Sequence, residues 1–131
     1  MLPKINRLTK KKDFELVFKK GESIKNDFLI FKILKNHLKE SRFGFIVSKK
    51  VSGKATVRNK IKRRLRKAVL NHLKEIHLIK FSEAEISQKA KLFSRVKKSV
   101  DLIIITLPKI EKKEFSEIQE VINNFFNKYN I

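Results

Sequence analysis

An almost uninterrupted apolar run limits the folds that are available to this chain. Residues Asp101 to Leu107 read Asp-Leu-Ile-Ile-Ile-Thr-Leu, and Pro108 ends the run. A strand with one face in water alternates apolar and polar residues, whereas a run of this kind suits a strand that is buried on both faces. The run therefore predicts a central strand in the middle of a sheet.

Two further segments are rich in the aromatic and β-branched residues that favour strands. They are Asp27 to Leu34 and Arg42 to Ser48, and the polar stretch 35–41 separates them. Two such segments joined by a short polar connection predict a β-hairpin. A further short strand fits residues Glu22 to Lys25.

Three segments have apolar residues at the three- and four-residue spacing of amphipathic helices. The first lies within Asn6 to Lys20, with Thr9 as its predicted N-cap and Gly21 as its stop. The second runs from Thr56 to about Leu73, where Leu70 alone falls on the polar side, and the third from Phe115 to Tyr129. The predicted order is helix, two or three strands, helix, strand, helix, in one α+β domain.

The second helix carries a dense cationic surface. From Ser48 to Lys67 the chain has many Lys and Arg residues and no Asp or Glu. The whole chain has 33 Lys and Arg against 13 Asp and Glu, a formal net charge of +20 that a polyanionic partner would relieve. Arg58 and Asn59 lie in the first turn of the helix, where unpaired backbone N–H groups suit a phosphate. These features favour RNA binding over a solvated helix face or an anionic membrane surface.

Other classes of function lack their usual residues. The chain has no Cys, and His37, His72 and His77 show no metal-ligand spacing. No nucleophile with a base, carboxylate pair or glycine-rich nucleotide loop is recognisable, so we expect no catalytic residue, no metal held by the protein and no small-molecule substrate. We also expect a cytoplasmic protein without a membrane partner, because no segment has the length of a membrane span and residues Met1 to Lys12 lack the apolar core of a signal peptide.

Four motifs occur in an order that resembles the bacterial ribonuclease P protein family. They are Arg7-Leu8-Thr9-Lys10, Asp13-Phe14-Glu15-Leu16-Val17-Phe18, Gly44-Phe45-Ile46-Val47-Ser48-Lys49-Lys50-Val51 and Arg58-Asn59-Lys60-Ile61-Lys62-Arg63-Arg64-Leu65-Arg66. The last is the Arg-Asn-Arg signature of the family, and Lys60 replaces its second arginine. That replacement keeps the charge but loses the forked hydrogen bonding of a guanidinium.

The resemblance implies a fold and a domain organisation. The fold is a two-layer αβββαβα sandwich, similar to a domain of ribosomal proteins, with a left-handed crossover around the signature helix. General handedness rules would predict the opposite crossover. One RNA-binding domain would span residues 1–131, with a helical insertion around 75–98.

The resemblance also implies a function. The family binds a catalytic RNA and the 5′ leader of precursor tRNA, and the RNA removes the leader in a Mg²⁺-dependent endonucleolytic reaction. The matching positions for binding the catalytic RNA are Arg58, Asn59, Lys60, Lys62, Arg63, Arg64 and Arg66. The matching positions for a leader cleft are Lys10, Phe14, Phe18, Ser48, Lys49 and Lys50, and strand position adds Phe31.

Alternatives remain open for these residues. Phe14 and Phe18 suit core contacts of the first helix as well as stacking on unpaired bases. A ribosomal or ribosome-assembly protein would show the same charge pattern. A protein nuclease would need a carboxylate such as Asp13 or Asp101.

Overall fold

A four-stranded sheet lies between helices on both of its faces in the computed structural model, which describes residues 2–81, 99–129 and 131. In chain order the elements are α1 (Lys11–Lys20), β1 (Glu22–Asn26), β2 (Leu29–Lys35), β3 (Arg42–Ile46), α2 (Ala55–Phe81), β4 (Val100–Thr106) and α3 (Phe115–Lys128). Short 3-10 turns span Lys4–Asn6 and Pro108–Lys112. The α+β class is confirmed. Helix α2 extends into the predicted insertion, and residues 82–98 lie outside the described residues.

The strand order is β1-β2-β4-β3, which places β4 inside the sheet as its apolar run predicts. Every residue of β4 is buried except the half-buried Ile105. The β-hairpin prediction is wrong, because β4 lies between β2 and β3. The hairpin is instead formed by β1 and β2. Strands β3 and β4 are parallel and are connected through α2, and the left-handed sense of that crossover stays a prediction.

Side chains alternate between two different environments along each strand. On the face that packs against α2 and α3, Phe31 stacks on Phe125 with ring centroids 3.8 Å apart, and Phe43 stacks on Phe126 at 5.5 Å. We call this face the two-helix face. The opposite face, which we call the α1 face, carries a smaller cluster in which Val17 and Leu8 pack with Ile103.

The predicted stripes of α2 and α3 form the core of the two-helix face. The buried residues are Ile61, Leu65, Ala68, Val69 and His72 on α2, and Ile118, Ile122, Phe125 and Phe126 on α3. Leu70, which breaks the α2 pattern, is half-buried and packs against this core. The cationic residues of α2 are therefore left on its outer side.

Helix α1 begins later than its sequence pattern predicts. Leu8 N–H donates to the Phe43 carbonyl at 2.9 Å, so the segment before α1 is extended along β3 and cannot be helical there. The Lys10 carbonyl accepts from the N–H groups of Asp13 and Phe14, so the N-cap is Lys10, without a side-chain hydrogen bond, and the prediction of Thr9 is wrong. The predicted stop at Gly21 is confirmed.

Two contacts fix α1 to the sheet. The Phe14 ring lies over Gly44 so closely that a Cβ there would be 2.6 Å from Phe14 Cζ. Arg42 at the start of β3 joins Asp13 of α1 at 3.1 Å to Asp101 of β4 at 2.6 Å. The hydrogen bond with Asp101 is the main cause that raises the pKa of Arg42, against the opposing effect of burial.

Candidate RNA-binding surface

Helix α1 covers only part of its face of the sheet. The strand register aligns Lys32, Ile103 and Gly44 in one row. This row lies beneath α1, whose Phe18, Val17 and Phe14 contact its three residues in turn. The next row along the strands consists of Lys25, Ile30, Ile105 and Ile46. The three isoleucines of that row are only half-buried. Ile46 and Ile105 pack at the border of the Val17 cluster, so this strip of the sheet is partly open to solvent beside α1. We call the strip and the adjoining side of α1 the cleft, with the isoleucines as its floor and α1 as its wall.

Two aromatic residues that the family resemblance assigned to the cleft, Phe14 and Phe18, lie on its wall. Phe14 is half-buried above Gly44. Phe18 is 41% exposed, and the Lys32 ammonium lies 4.9 Å from its ring centroid. Phe18 therefore presents an aromatic surface to solvent beside a cation, an arrangement that suits an unpaired base with its phosphate.

The basic residues predicted for the cleft are near its ends. Lys10 is exposed immediately before α1. Ser48, Lys49 and Lys50 are exposed and follow Ile46, at the end of β3 where the row of isoleucines lies. The described residues thus bring six of the seven predicted positions to the α1 face or its margin.

Phe31 is the exception, and its assignment to the cleft is wrong. Its side chain is 0% exposed and stacks on Phe125 on the two-helix face. Neighbouring residues of a strand point to opposite faces, so Ile30 and Lys32 reach the cleft instead. Sequence reasoning missed the floor residues Ile30, Ile46 and Ile105, because only the register shows that they align.

The cationic surface of α2 lies on the opposite side of the sheet from the cleft, because α2 packs on the two-helix face. Asn59, Lys60, Arg63 and Arg66 are exposed, whereas Lys62 and Arg64 are half-buried. Arg58 donates from Nη1 to the carbonyls of Ser52 at 3.0 Å and Gly53 at 3.1 Å, which orders the loop before the helix. Among the described residues, the ion pairs involve other side chains, so this surface keeps its charge for a partner.

Within residues 2–81, 99–129 and 131, no three His, Cys, Asp or Glu side chains come together as metal ligands. No helix in that part of the chain combines the length and the apolar character needed to cross a membrane.

Comparison with known proteins gives one consistent result. The family model described as Ribonuclease P matches residues 2–130. A ribonuclease P protein component of Alkaliphilus metalliredigens is 31% identical, over 94% of this chain and 92% of the relative. One from Synechocystis is 36% identical, over 82% and 71%.

Solved structures agree with the sequence comparisons. The RNase P protein of Thermotoga maritima has a TM-score of 0.65 and 28% identity, and the match covers 93% of this chain and 96% of that protein. The RNase P protein of Staphylococcus aureus gives a TM-score of 0.66 and 25% identity, with 93% of each chain covered. The same fold therefore accompanies the shared sequence.

Proposed function

This chain belongs to the ribonuclease P protein family, a family of protein components of an endoribonuclease that processes tRNA, and on that premise we propose how its two surfaces act. The outer side of α2 binds the catalytic RNA, and the cleft beside α1 binds the single-stranded 5′ leader of precursor tRNA. The RNA then removes the leader endonucleolytically in the cytoplasm. The observation that carries this proposal is the presence of a cation-rich helix and a half-open aromatic cleft on one small domain.

The cleft has the chemistry of a single-strand site. Phe14 and Phe18 offer aromatic faces, and the isoleucine floor offers apolar contact, so bases of any sequence could pack there. Lys25 and Lys32 lie beside the floor, where they can neutralise backbone phosphates. A duplex would not fit this description, because its bases are already stacked and paired.

The α2 surface has the chemistry of a phosphate-binding face. Arginine can hold a phosphate with two parallel hydrogen bonds, and Arg63 and Arg66 are exposed for such contacts. Cations placed along an RNA surface release its counterions and reduce the repulsion between its phosphates. The protein would therefore lower the Mg²⁺ concentration at which the RNA reaches its active fold.

The protein's residues bind and orient in this scheme, and the chemistry belongs to the RNA. Mg²⁺ held by the RNA would supply the activated water and stabilise the leaving oxygen of the phosphodiester. The side chains described above present no carboxylate cluster that would hold the ion in the protein's place. Their contribution is the position of the leader relative to the catalytic RNA.

Reconstitution tests the proposal. Purified protein is added to a bacterial ribonuclease P RNA at limiting Mg²⁺, and cleavage of a precursor tRNA with a 5′ leader is followed beside an RNA-free control. Stimulation that requires the RNA is the expected result. Binding without stimulation would favour a ribosomal or ribosome-assembly protein, and cleavage in the RNA-free control would favour a protein nuclease.

A pair of variants tests the cleft separately. Phe18→Ala should weaken holoenzyme affinity for a leader-bearing substrate about tenfold, the value of one stacked base, and leave a leaderless substrate unaffected. Leu16→Ala is the matched control, because Leu16 is 43% exposed against 41% for Phe18 and lies about 200° around the same helix. Equal losses for both substrates would contradict the cleft assignment.

A further inference from the structure

A second concave site lies at the free edge of β3, between α2 and the segment that precedes α1. It encloses about 310 Å³. Its apolar walls include Leu8, Phe14 and Phe45, and its polar margin includes Arg7, Thr9 and Arg66. We call it the β3-edge groove. Phe14 lines this groove and also belongs to the wall of the cleft, so the groove is a neighbour of the proposed leader site.

The groove also exposes backbone hydrogen-bonding groups. Alternate residues of a strand direct their peptide groups to the same edge. Phe43 uses its carbonyl at this edge to accept from Leu8 N–H, so the peptide groups of Phe45 face the same edge. Within the described residues no strand pairs with β3 on that side beyond the bridge at Arg7 and Phe43. One N–H and one C=O thus lie between apolar walls.

We propose that the β3-edge groove binds one unpaired nucleotide of the catalytic RNA. The base would lie between Leu8 and the phenylalanine side chains, and its edge would pair with the peptide groups of Phe45. The Arg66 guanidinium at the margin would bind the adjoining phosphate. The nucleotide must be unpaired, because a paired base has its edge occupied.

Charge and position favour this occupant. Arg66 belongs to both the α2 surface and the groove, so RNA on that surface is next to the groove. An added peptide strand is the competing occupant of a free edge, but it needs a row of peptide groups. In the described structure β3 ends at Ile46, so its edge offers the peptide groups of Phe45 beyond the Leu8 bond. The chain's net charge of +20 also attracts a polyanion.

The inference rests on the proposed function, and photo-crosslinking tests the groove assignment separately from that function. A benzophenone amino acid replaces Thr9, which is exposed and lines the groove, or Asn127, which is exposed near the end of α3. Each holoenzyme is irradiated and the crosslinks are mapped by primer extension. We expect Thr9 to crosslink to one or two unpaired nucleotides of the catalytic RNA, and Asn127 to give none of these. Crosslinks from Thr9 to the leader, to a second protein copy or to nothing would overturn the proposal.

A blocking variant gives an independent measurement. Thr9→Trp fills the groove from its exposed margin and should weaken affinity for the catalytic RNA about tenfold, the value of one base contact. The ratio of affinities for substrates with and without a leader should not change. Asn127→Trp should bind the RNA as the wild type does. If wild-type protein stimulates cleavage and Thr9→Trp binds the RNA equally well, the groove is not a nucleotide site although the proposed function stands.

Discussion

Replacing Arg42 by methionine should cost about 3 kcal/mol of the free energy of unfolding. Arg42 donates to Asp101 from Nε at 2.8 Å and from Nη2 at 2.6 Å, and the Asp101 side chain is only 4% exposed. Removing one partner of a buried ion pair costs about 3–5 kcal/mol, because a charge is left without its partner. The lower end applies here, since Asn36 still donates to Asp101 at 2.9 Å and water reaches Asp13.

The pH dependence of this effect follows from the direction of the Arg42 pKa shift. The pKa of Arg42 is raised in the folded protein, so the contribution of its guanidinium charge is complete below the ordinary arginine pKa and is lost only as the pH rises into strong alkali. The cost of Arg42→Met should therefore be the same throughout the neutral range. Urea unfolding followed by circular dichroism at two neutral pH values would measure it.

Two controls make this prediction specific. Arg63→Met removes the same charge from an exposed position on α2 and should change stability by less than about 0.5 kcal/mol. Adding Asp101→Asn to Arg42→Met removes the unpaired charge and should recover much of the loss. A loss below about 1 kcal/mol for Arg42→Met, or a loss equal to that of Arg63→Met, would refute the reasoning.

Three further predictions follow from the same geometry. Gly44→Ala places a Cβ 2.6 Å from Phe14, so it should destabilise by about 1–3 kcal/mol and weaken leader binding; a wild-type urea midpoint would contradict this. Phe31→Ala empties a core position against Phe125 and should cost about 3–5 kcal/mol, with no preferential loss for leader-bearing substrate in binding assays. Arg63→Ala should reduce the slope of log affinity for the catalytic RNA against log salt by about 1, and an unchanged slope would exclude a phosphate contact.

The sequence predicts which segments are helices or strands better than it predicts which strands pair with each other. The run in β4 predicts a central strand correctly because burial on both faces leaves a compositional signal. The predicted pairing of β2 with β3 is wrong, because no residue pattern within those two segments shows that β4 lies between them. Arg42 and Asp101, 59 residues apart, illustrate the same limit, since their ion pair exists only in that strand order.

The helical wall of the cleft could be predicted from the sequence, whereas its strand residues could not. Phe14 and Phe18 are predictable because helical spacing and the family motif identify them. The side on which Phe31 lies is not, because β2 is an inner strand with apolar residues on both faces, and alternation alone does not say which face carries α1. The isoleucine row depends on the register of β2 and β3 against β4, a relation between distant segments.

The position of β4 in the sheet has a consequence for folding during synthesis. The β1-β2 hairpin is local, but β3 finds its strand partner in the last of the four described strands. At about 5–20 residues per second, residues 47–106 need about 3–12 seconds to be made, so the completed β3 waits that long for β4. Helix α2 is complete before the sheet beneath it. The cationic helix therefore leaves the ribosome as an amphipathic segment, and its cationic surface acquires a fixed orientation only when β4 is made.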